Sequence, residues 1–241
     1  PWEGLNPLEF GGAILADAAR AYEAREGFLD DPFLGHGTRT ASLSRLETPS
    51  DCAVPDRFTF RFDRRLTIGE TPTQAVADVE ALPSVAAARE AGLEVLVQVP
   101  TYEEATWAGY RLGNAQIYMG WVTPEDHPAI RAAVASYEAV ISPHIPAGGE
   151  AGALRSAPRV DRWIFSTDGV GFPIDADDAS IEVAERKRWV QAGAFKHPAM
   201  FGIGPGIEQN THEMGECVDR RELQHAIAFL ARFPSLFAAQ R

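Results

Sequence analysis

The fold of the first half of the chain is decided by one stretch of sequence, Phe58-Thr59-Phe60-Arg61-Phe62-Asp63. Its phenylalanines alternate with polar residues, so the three rings lie on one face of an extended chain. This alternation predicts a β-strand with one buried face and one exposed face. Thr38–Leu46 alternates well enough to predict a second strand, which precedes the first along the chain.

Two helices and a third strand are predicted around these strands. Asn6-Pro7-Leu8-Glu9 predicts a helix start, because Asn caps, Pro suits the first turn and Glu lies three residues after the cap. Thr71-Pro72-Thr73-Gln74 predicts a second helix start by the same logic. Its inward-facing residues are Val76, Val79 and Leu82. The alternating residues of the third strand are Leu93, Val95, Val97 and Val99. The resulting order is a ferredoxin-like split βαβ motif that lacks its first strand.

The second half of the chain is also predicted to be α/β. A connector over residues 106–125 precedes a helix over Asp126–Ile141, and a last helix runs from Asp219 to Pro234. We expect the last helix to face the core with Leu223, Ile227 and Leu230.

Two short buried strands are predicted between these helices, over Val160–Phe165 and Ala199–Ile203. The polar stretch Asp175–Lys196 lies between them and is interpreted as an excursion from the core. Asp175-Ala176-Asp177-Asp178 resembles the start of a calcium loop, but Ser180 stands at the sixth position, where that loop needs glycine.

Composition and charge restrict the function classes. The 241 residues include 34 acidic and 22 basic side chains, a net charge of −12, which argues against a nucleic-acid or anionic-membrane binder. No uncharged apolar run approaches the roughly 18 residues of a membrane span, and Pro1-Trp2-Glu3 begins no signal peptide. Cys52 and Cys217 are expected to be reduced thiols in a cytoplasmic protein.

The stretch richest in chemistry is Phe201-Gly-Ile-Gly-Pro-Gly-Ile-Glu-Gln-Asn-Thr-His-Glu-Met-Gly-Glu216. Gly204 and Gly206 allow the backbone to approach a ligand closely. His212, on a loop after a predicted strand, suits a metal ligand or a general base, and a structural or exposed histidine is the alternative. The glycines form no P-loop, because no Gly-Lys-Ser/Thr follows them, and Glu216 stands where a zincin helix needs its second histidine.

A second candidate is Ser166-Thr167-Asp168-Gly169, which follows a predicted strand. Hydroxyls and a carboxylate at the end of a strand suit contacts to a ligand in an open α/β sheet, and a plain turn is the alternative. No Gly-x-Ser-x-Gly stretch is present, so a serine hydrolase is disfavoured.

Several of these segments together resemble a family of dinuclear metallopeptidases. The segments are Asn6–Glu9, Cys52–Asp56, Asp63–Thr67, Phe165–Gly169 and Gly204…His212…Glu216. The family includes acetylornithine deacetylase, succinyl-diaminopimelate desuccinylase, carboxypeptidase G and aminoacylase, and the closest branch is that of selenium-metabolism-linked hydrolases. The resemblance runs from residue 1 to about 233, with residues 175–196 resembling an insertion.

The resemblance implies a fold, a reaction and a cofactor. Residues 1–105 would be a ferredoxin-like lid that forms a homodimer, with strand Thr38–Leu46 as its exposed edge. Residues 126–241 would be the C-terminal part of a zinc-peptidase-like α/β catalytic domain. The reaction would be metal-dependent hydrolysis of an amide bond in a small molecule, an N-acyl amino acid or peptide. Two metal ions, zinc or alternatively cobalt or manganese, would polarise the carbonyl and activate a water.

The resemblance also implies roles for single residues. His212 matches the family's last metal ligand, and Glu216 matches an acidic residue of the same loop. The substrate pocket would be lined by Ser166, Thr167, Asp168, Gly204 and Gly206. The other ligands and the general-base glutamate have no match in this chain and are expected upstream, so no catalytic residue is assigned here. The alternatives are a non-catalytic dimerisation or binding module and one half of a split enzyme.

Overall fold

The computed structural model describes residues 4–118, 120–151, 154–163, 199–206, 211 and 213–240. These residues form two compact units, the first ending at Gly120 and the second beginning at Trp121. That junction falls within residues 106–125, where the sequence analysis puts a connector. The described residues combine α-helices with two-stranded antiparallel sheets, so the chain mixes α and β structure. No helix among them is long and apolar enough to cross a membrane.

The first unit contains three helices and three small sheets within its described residues. Its elements are α1 (Pro7–Glu23), β1 (Asp30–Asp31), β2 (Gly35–His36), β3 (Thr38–Glu47), β4 (Arg57–Arg65), α2 (Pro72–Glu80), α3 (Pro83–Glu90), β5 (Thr101–Tyr102) and β6 (Asn114–Ala115). The pairs are β1 with β2, β3 with β4, and β5 with β6, all antiparallel.

The predictions for α1, β3 and β4 are confirmed. The Asn6 side chain accepts a hydrogen bond from the Leu8 amide at the start of α1. In β4 the exposure alternates along the whole strand, with the three phenylalanines on the less exposed face. β3 and β4 pair from Thr38 opposite Arg65 to Glu47 opposite Arg57, with one bulge between Ala41 and Leu43.

The second predicted helix is divided in two. Its cap is confirmed, since the Thr71 hydroxyl accepts from the Gln74 amide at 3.1 Å. α2 nevertheless ends at Glu80, Leu82 is extended, and Pro83 begins α3. The reason is local, because a proline disfavours helical geometry in the residue before it.

The third predicted strand shows the expected alternation of burial, but the prediction that it is a paired strand is wrong. Leu93, Val95, Val97 and Val99 are half-buried while the residues between them are exposed, yet Leu93–Val99 forms no ladder with any described residue. We call these residues the 93–99 segment. A strand is stabilised by ladder hydrogen bonds to a neighbouring strand, and no described residue makes such a ladder with this segment.

The core of the first unit lies between its helices and one face of the β3–β4 sheet. Its buried side chains come from α1, α2, α3 and the residue that joins the last two: Ile14, Ala18, Ala21, Val79, Leu82, Val85 and Ala88. Phe60 and Phe62 of β4 and Val95 and Val97 of the 93–99 segment pack against it. α1 approaches β4 so closely that a Cβ atom at Gly11 would overlap the Phe58 ring.

The second unit is dominated by two helices within its described residues. Its elements are α4 (Pro128–Val140), a 3₁₀ turn (Ser142–His144), β7 (Glu150–Ala151), β8 (Leu154–Arg155) and α5 (Arg220–Ala238). α4 and α5 confirm the two predicted helices, with His127 and Asp219 as caps. Ile141, Ile145 and Phe229 are buried in its core, with Phe201, Ile203 and Phe233 packed against them.

Three predictions for the second unit are wrong. Leu223, Ile227 and Leu230 of α5 are exposed, and the buried residues are Glu222 and Phe229 instead. Pro234 lies inside α5 and does not end it. Ala199–Ile203 and the described part of Val160–Phe165 form no ladder with the described residues, and 161–163 are exposed. An apolar pattern does not by itself determine which neighbour will cover it.

Candidate functional site

The candidate site in the second unit is built on residues 199–206, a segment without regular secondary structure. Thr123 fixes its start, because the hydroxyl accepts from the Met200 amide at 3.1 Å and donates to the Met200 carbonyl at 2.6 Å. The Trp121 indole N–H donates to the same carbonyl at 3.3 Å. Phe201 and Ile203 then turn into the core. The segment is therefore held at both its backbone and its apolar side chains.

The glycines of this segment face away from the core. A Cβ atom at Gly202 would touch the Trp163 ring at 3.3 Å, so that position is covered by an indole. No atom of the described residues lies within 4 Å of a Cβ placed at Gly204 or at Gly206. Gly206 also has φ of +117°, a conformation that side chains rarely tolerate. The described residues thus leave the backbone at Gly204 and Gly206 uncovered on one side, which suits close approach of a ligand.

A buried carboxylate anchors this glycine turn to α5. The Gly206 amide donates to Oε2 of Glu222 at 2.9 Å, and Glu222 is only 2% exposed. Glu222 lies in the first turn of α5, three residues after the cap. The turn is therefore fixed to the beginning of the helix.

Asp219, just before α5, is fixed at the same helix start. The Asp219 carboxylate accepts from the Arg221 amide at 2.7 Å and from the Arg221 guanidinium at 2.7 Å. These hydrogen bonds from the Arg221 side chain and backbone lower the pKa of Asp219 to about 2. Gly206 and Asp219, which precede and follow the stretch that contains His212 and Glu216, are therefore both held at the start of α5.

The structure describes only part of the predicted site. Gly204 and Gly206 share one turn, and Glu216 lies in the connection from that turn to α5, where its amide donates to the Glu213 carbonyl at 3.2 Å. His212 and Ser166, Thr167 and Asp168 lie outside the described residues. The two cysteines, Cys52 and Cys217, are exposed and unpaired.

The described residues do not bring three metal ligands together. Among them, no group of three or more His, Cys, Asp or Glu side chains is placed to hold a metal ion. Two of the histidines, His144 and His225, are distant in sequence but have ring centroids 5.2 Å apart. A catalytic zinc site normally needs three protein ligands, so the described part of the chain does not fit a complete metal centre.

The sequence analysis missed Glu222, the residue that holds the glycine turn. Its signal was available, because Asp219-Arg220-Arg221-Glu222 matches a cap followed by an acid three residues later. That pattern predicts a bond from Glu222 back to the cap's own amide. The structure has the carboxylate accept from Gly206. A local pattern indicates that a carboxylate lies at the helix start. It does not indicate that an amide 16 residues earlier in the chain will donate a hydrogen bond to that carboxylate.

Known proteins similar to this chain include two described as the uncharacterized protein YgeY, from Escherichia coli strain K12 and from Escherichia coli O157:H7. Each is 31% identical to the chain over 234 residues, which is 97% of this chain and 48% of the relative. The chain therefore spans about half the length of the curated relatives it matches. No protein-family model matches the chain, and no solved structure matches it.

Proposed function

We propose that this chain is part of a metal-dependent hydrolase that cleaves an amide bond of a small molecule, an N-acyl amino acid or a peptide. The observation that carries the proposal is the glycine turn at Gly204–Gly206. The described residues leave its backbone uncovered on one side, and the Glu222 carboxylate holds the Gly206 amide at 2.9 Å at the start of the helix that follows the stretch with His212. The ordered set of motifs that resembles the acetylornithine deacetylase family supports the same reaction class.

In this proposal the chain supplies one metal ligand and part of the substrate pocket. His212 is the ligand, Glu216 is an acidic neighbour on the same loop, and the bare backbone of Gly204 and Gly206 lies against the substrate. Ser166, Thr167 and Asp168 are proposed to line the same pocket. A loop fixed at both ends holds a ligand side chain with less loss of entropy than a free loop does.

The remaining metal ligands and the general base are proposed to lie outside these 241 residues. The metal is proposed to be zinc, with cobalt or manganese as substitutes, and two ions in the complete protein. When bound, such ions supply a Lewis acid for the carbonyl and a water of lowered pKa.

The two units take different roles in the proposal. Residues 1–105 form a lid that joins two copies through β3, whose outer edge pairs with no described residue. Residues 126–241 contribute the C-terminal part of a catalytic domain. The complete protein is proposed to act in the cytoplasm on a small molecule, and not on nucleic acid or membranes.

The experiment is a metal analysis and an activity screen of the complete polypeptide. The substrates are N-acetyl and N-succinyl amino acids and dipeptides, each assayed with zinc, cobalt and manganese. We expect His212→Ala to lower kcat/KM at least about 100-fold and to reduce bound metal, because it removes a ligand.

His36→Ala is the matched control, since His36 is the last residue of β2 in the first unit and its Nε2 atom lies 3.1 Å from the Arg25 guanidinium. It should leave both metal content and kcat/KM unchanged. Full metal occupancy and activity in His212→Ala would remove His212 from the site. A complete polypeptide without bound metal and without hydrolysis of any substrate would favour the non-catalytic binding module, and a second polypeptide that co-purifies would indicate a split enzyme.

A further inference from the structure

Two histidine rings lie side by side in the second unit, although they come from distant parts of the chain. His144 closes the 3₁₀ turn that follows α4, and His225 lies in the second turn of α5. Their ring centroids are 5.2 Å apart, and the ring planes are inclined by 40°. Neither ring has a hydrogen-bond partner among the described residues. Each neutral imidazole therefore has one ring nitrogen whose lone pair is available to a ligand.

The position of His144 is set by the end of α4. Its amide donates to the Ile141 carbonyl at 2.9 Å, and the Ile145 amide donates to the Ser142 carbonyl at 3.2 Å. Ile141 and Ile145 are both buried in the core of the second unit. The turn is therefore fixed on both sides of His144, although His144 itself is exposed.

The position of His225 is set by the buried face of α5. Glu222 lies three residues before it and Phe229 four residues after it, and these spacings put side chains on one face of a helix. Glu222 is 2% exposed and Phe229 is 1% exposed, whereas His225 is half-buried. That face brings His225 to the edge of the core, where His144 lies. Buried neighbours thus hold both histidines in place.

The separation of the two rings fits a single metal ion shared between them. A zinc ion bound to nitrogen at about 2.1 Å lies roughly 3.2 Å from the centroid of that imidazole ring. Two imidazoles on one tetrahedral zinc ion therefore have centroids about 5.2 Å apart. The rings of His144 and His225 have this separation. Imidazole is also a ligand that zinc favours over the hard cations Mg²⁺ and Ca²⁺.

We propose that His144 and His225 together bind one zinc ion, with water in the remaining coordination positions. The described residues bring no group of three or more His, Cys, Asp or Glu side chains together at any site. Structural zinc normally has four protein ligands and catalytic zinc three, so an ion held by two histidines exchanges with zinc in solution. The inference uses neither His212 nor the proposed reaction.

The bound ion links the turn after α4 to the beginning of α5. His225 lies one helical turn after Glu222, which accepts the hydrogen bond from the Gly206 amide. Zinc that binds the folded protein and not the unfolded chain stabilises the folded state by mass action. Zinc in solution therefore stabilises the part of the second unit that holds the glycine turn.

The test is a calorimetric titration of Zn²⁺ into the complete protein, prepared without a histidine tag and with any resident metal left in place. We expect one additional zinc site in the wild type. His144→Ala and His225→Ala should each weaken that site at least about 10-fold, the loss that even the removal of an outer-shell partner causes. The double variant should lose the same single site and no second one, because the two histidines share one ion.

His36→Ala is the control, since His36 is an exposed histidine of the first unit and should leave the added zinc site unchanged. An unchanged titration in both His144→Ala and His225→Ala would overturn the proposal and leave the two rings as a packing contact. Two sites in the wild type, one lost in each variant, would also overturn it, because each histidine would then bind its own ion.

A second measurement needs no substitution and so does not depend on the folding of a variant. Cobalt is added to the zinc-loaded wild type as a substitute for the exchangeable ion, and X-ray absorption is recorded at the cobalt edge. We expect the spectrum of two imidazole ligands on each bound cobalt ion. A spectrum with one imidazole ligand or none would overturn the shared site.

Discussion

The two units differ in how their apolar patterns are satisfied. In the first unit the apolar residues of β4 and of the 93–99 segment all turn toward one core, but they remain half-buried. In the second unit α5 carries two apolar stripes. Phe229 on one stripe is 1% exposed, and Leu230 on the other is 60% exposed. The first unit thus has a core that is open at one place, and the second has a helix that presents a whole face to the outside.

This difference shows that an apolar stripe along a helix or strand does not by itself determine whether that stripe is buried. Caps and periodicity decide where a helix or strand forms, whereas burial depends on what lies beside it. The difference between the two units would be contradicted by any substitution whose loss of unfolding free energy does not follow the burial of the side chain in the structure.

The largest effect is expected in the core of the second unit. Phe229→Ala should lower the free energy of unfolding of that unit by about 4 kcal/mol, because it removes a fully buried ring. The ring also stacks on Phe233 with centroids 6.1 Å apart. Leu230→Ala is the matched control and should cost less than about 0.5 kcal/mol. Urea unfolding measures both, and similar losses for the two variants would contradict the assignment of the α5 faces.

A somewhat smaller effect is expected at the buried ion pair of the first unit. Glu70 and Arg64 are joined at 2.9 Å with side chains 4% and 13% exposed, and the Leu29 and Thr67 amides also donate to Glu70. Glu70→Ala should cost about 3 kcal/mol, because it leaves a buried cation and two amides without their acceptor. Glu80→Ala breaks an exposed pair with Arg89 and should cost less than about 1 kcal/mol. Equal losses of unfolding free energy for Glu70→Ala and Glu80→Ala, measured in urea, would show that the Glu70 side chain is accessible to solvent.

The same pair sets a pH dependence with a definite sign. Burial alone raises the pKa of Glu70, but hydrogen bonds from Arg64, Leu29 and Thr67 and the Arg64 charge outweigh it and lower the pKa overall. The unfolded value is about 4.3. The contribution is therefore fully present above that pH and is lost as pH falls through the lower folded pKa. Glu70→Gln should lose less stability than wild type between about pH 5 and pH 3, whereas an identical loss would contradict this role.

The smallest effect is expected at the helix starts, where the two units are alike. Asn6→Ala should destabilise the first unit by about 1 kcal/mol, and Asp219→Ala should destabilise the second unit, because each removes the acceptor for a helix amide. Asn6→Ser and Asp219→Asn keep an acceptor and should restore most of the loss. A loss near zero at either position in urea unfolding would show that its cap does not contribute.

The sequence predicted the elements of the first unit well, because their signals are local. The Asn6 and Thr71 caps and the alternation in β4 each operate within a few residues. The division at Pro83 was missed although its cause is equally local. The pairing of the 93–99 segment could not be predicted, because a ladder depends on a neighbour and not on the segment itself.

The candidate site was predictable only where glycine is needed. Gly206 has a positive φ, and no atom of the described residues lies beside Gly204. The bond from Gly206 to Glu222 and the contacts of Trp121 and Thr123 with Met200 join residues 16 to 79 positions apart. No periodic pattern records such contacts. His212 and residues 166–168 lie outside the described residues, so their roles stay predictions.

Pro234 within α5 leaves one backbone carbonyl beside the exposed apolar stripe without its usual helical hydrogen bond. Proline has no amide hydrogen, so the carbonyl of Leu230, one turn earlier, loses its usual helical donor. That carbonyl belongs to the same residue whose side chain is exposed on the stripe. A surface of hydrocarbon alone would dehydrate the carbonyl at a cost of about 1–3 kcal/mol. Whatever covers this face of α5 must therefore bring a hydrogen-bond donor to one point or leave a water there, and the helix thereby discriminates between covering surfaces of equal hydrophobicity.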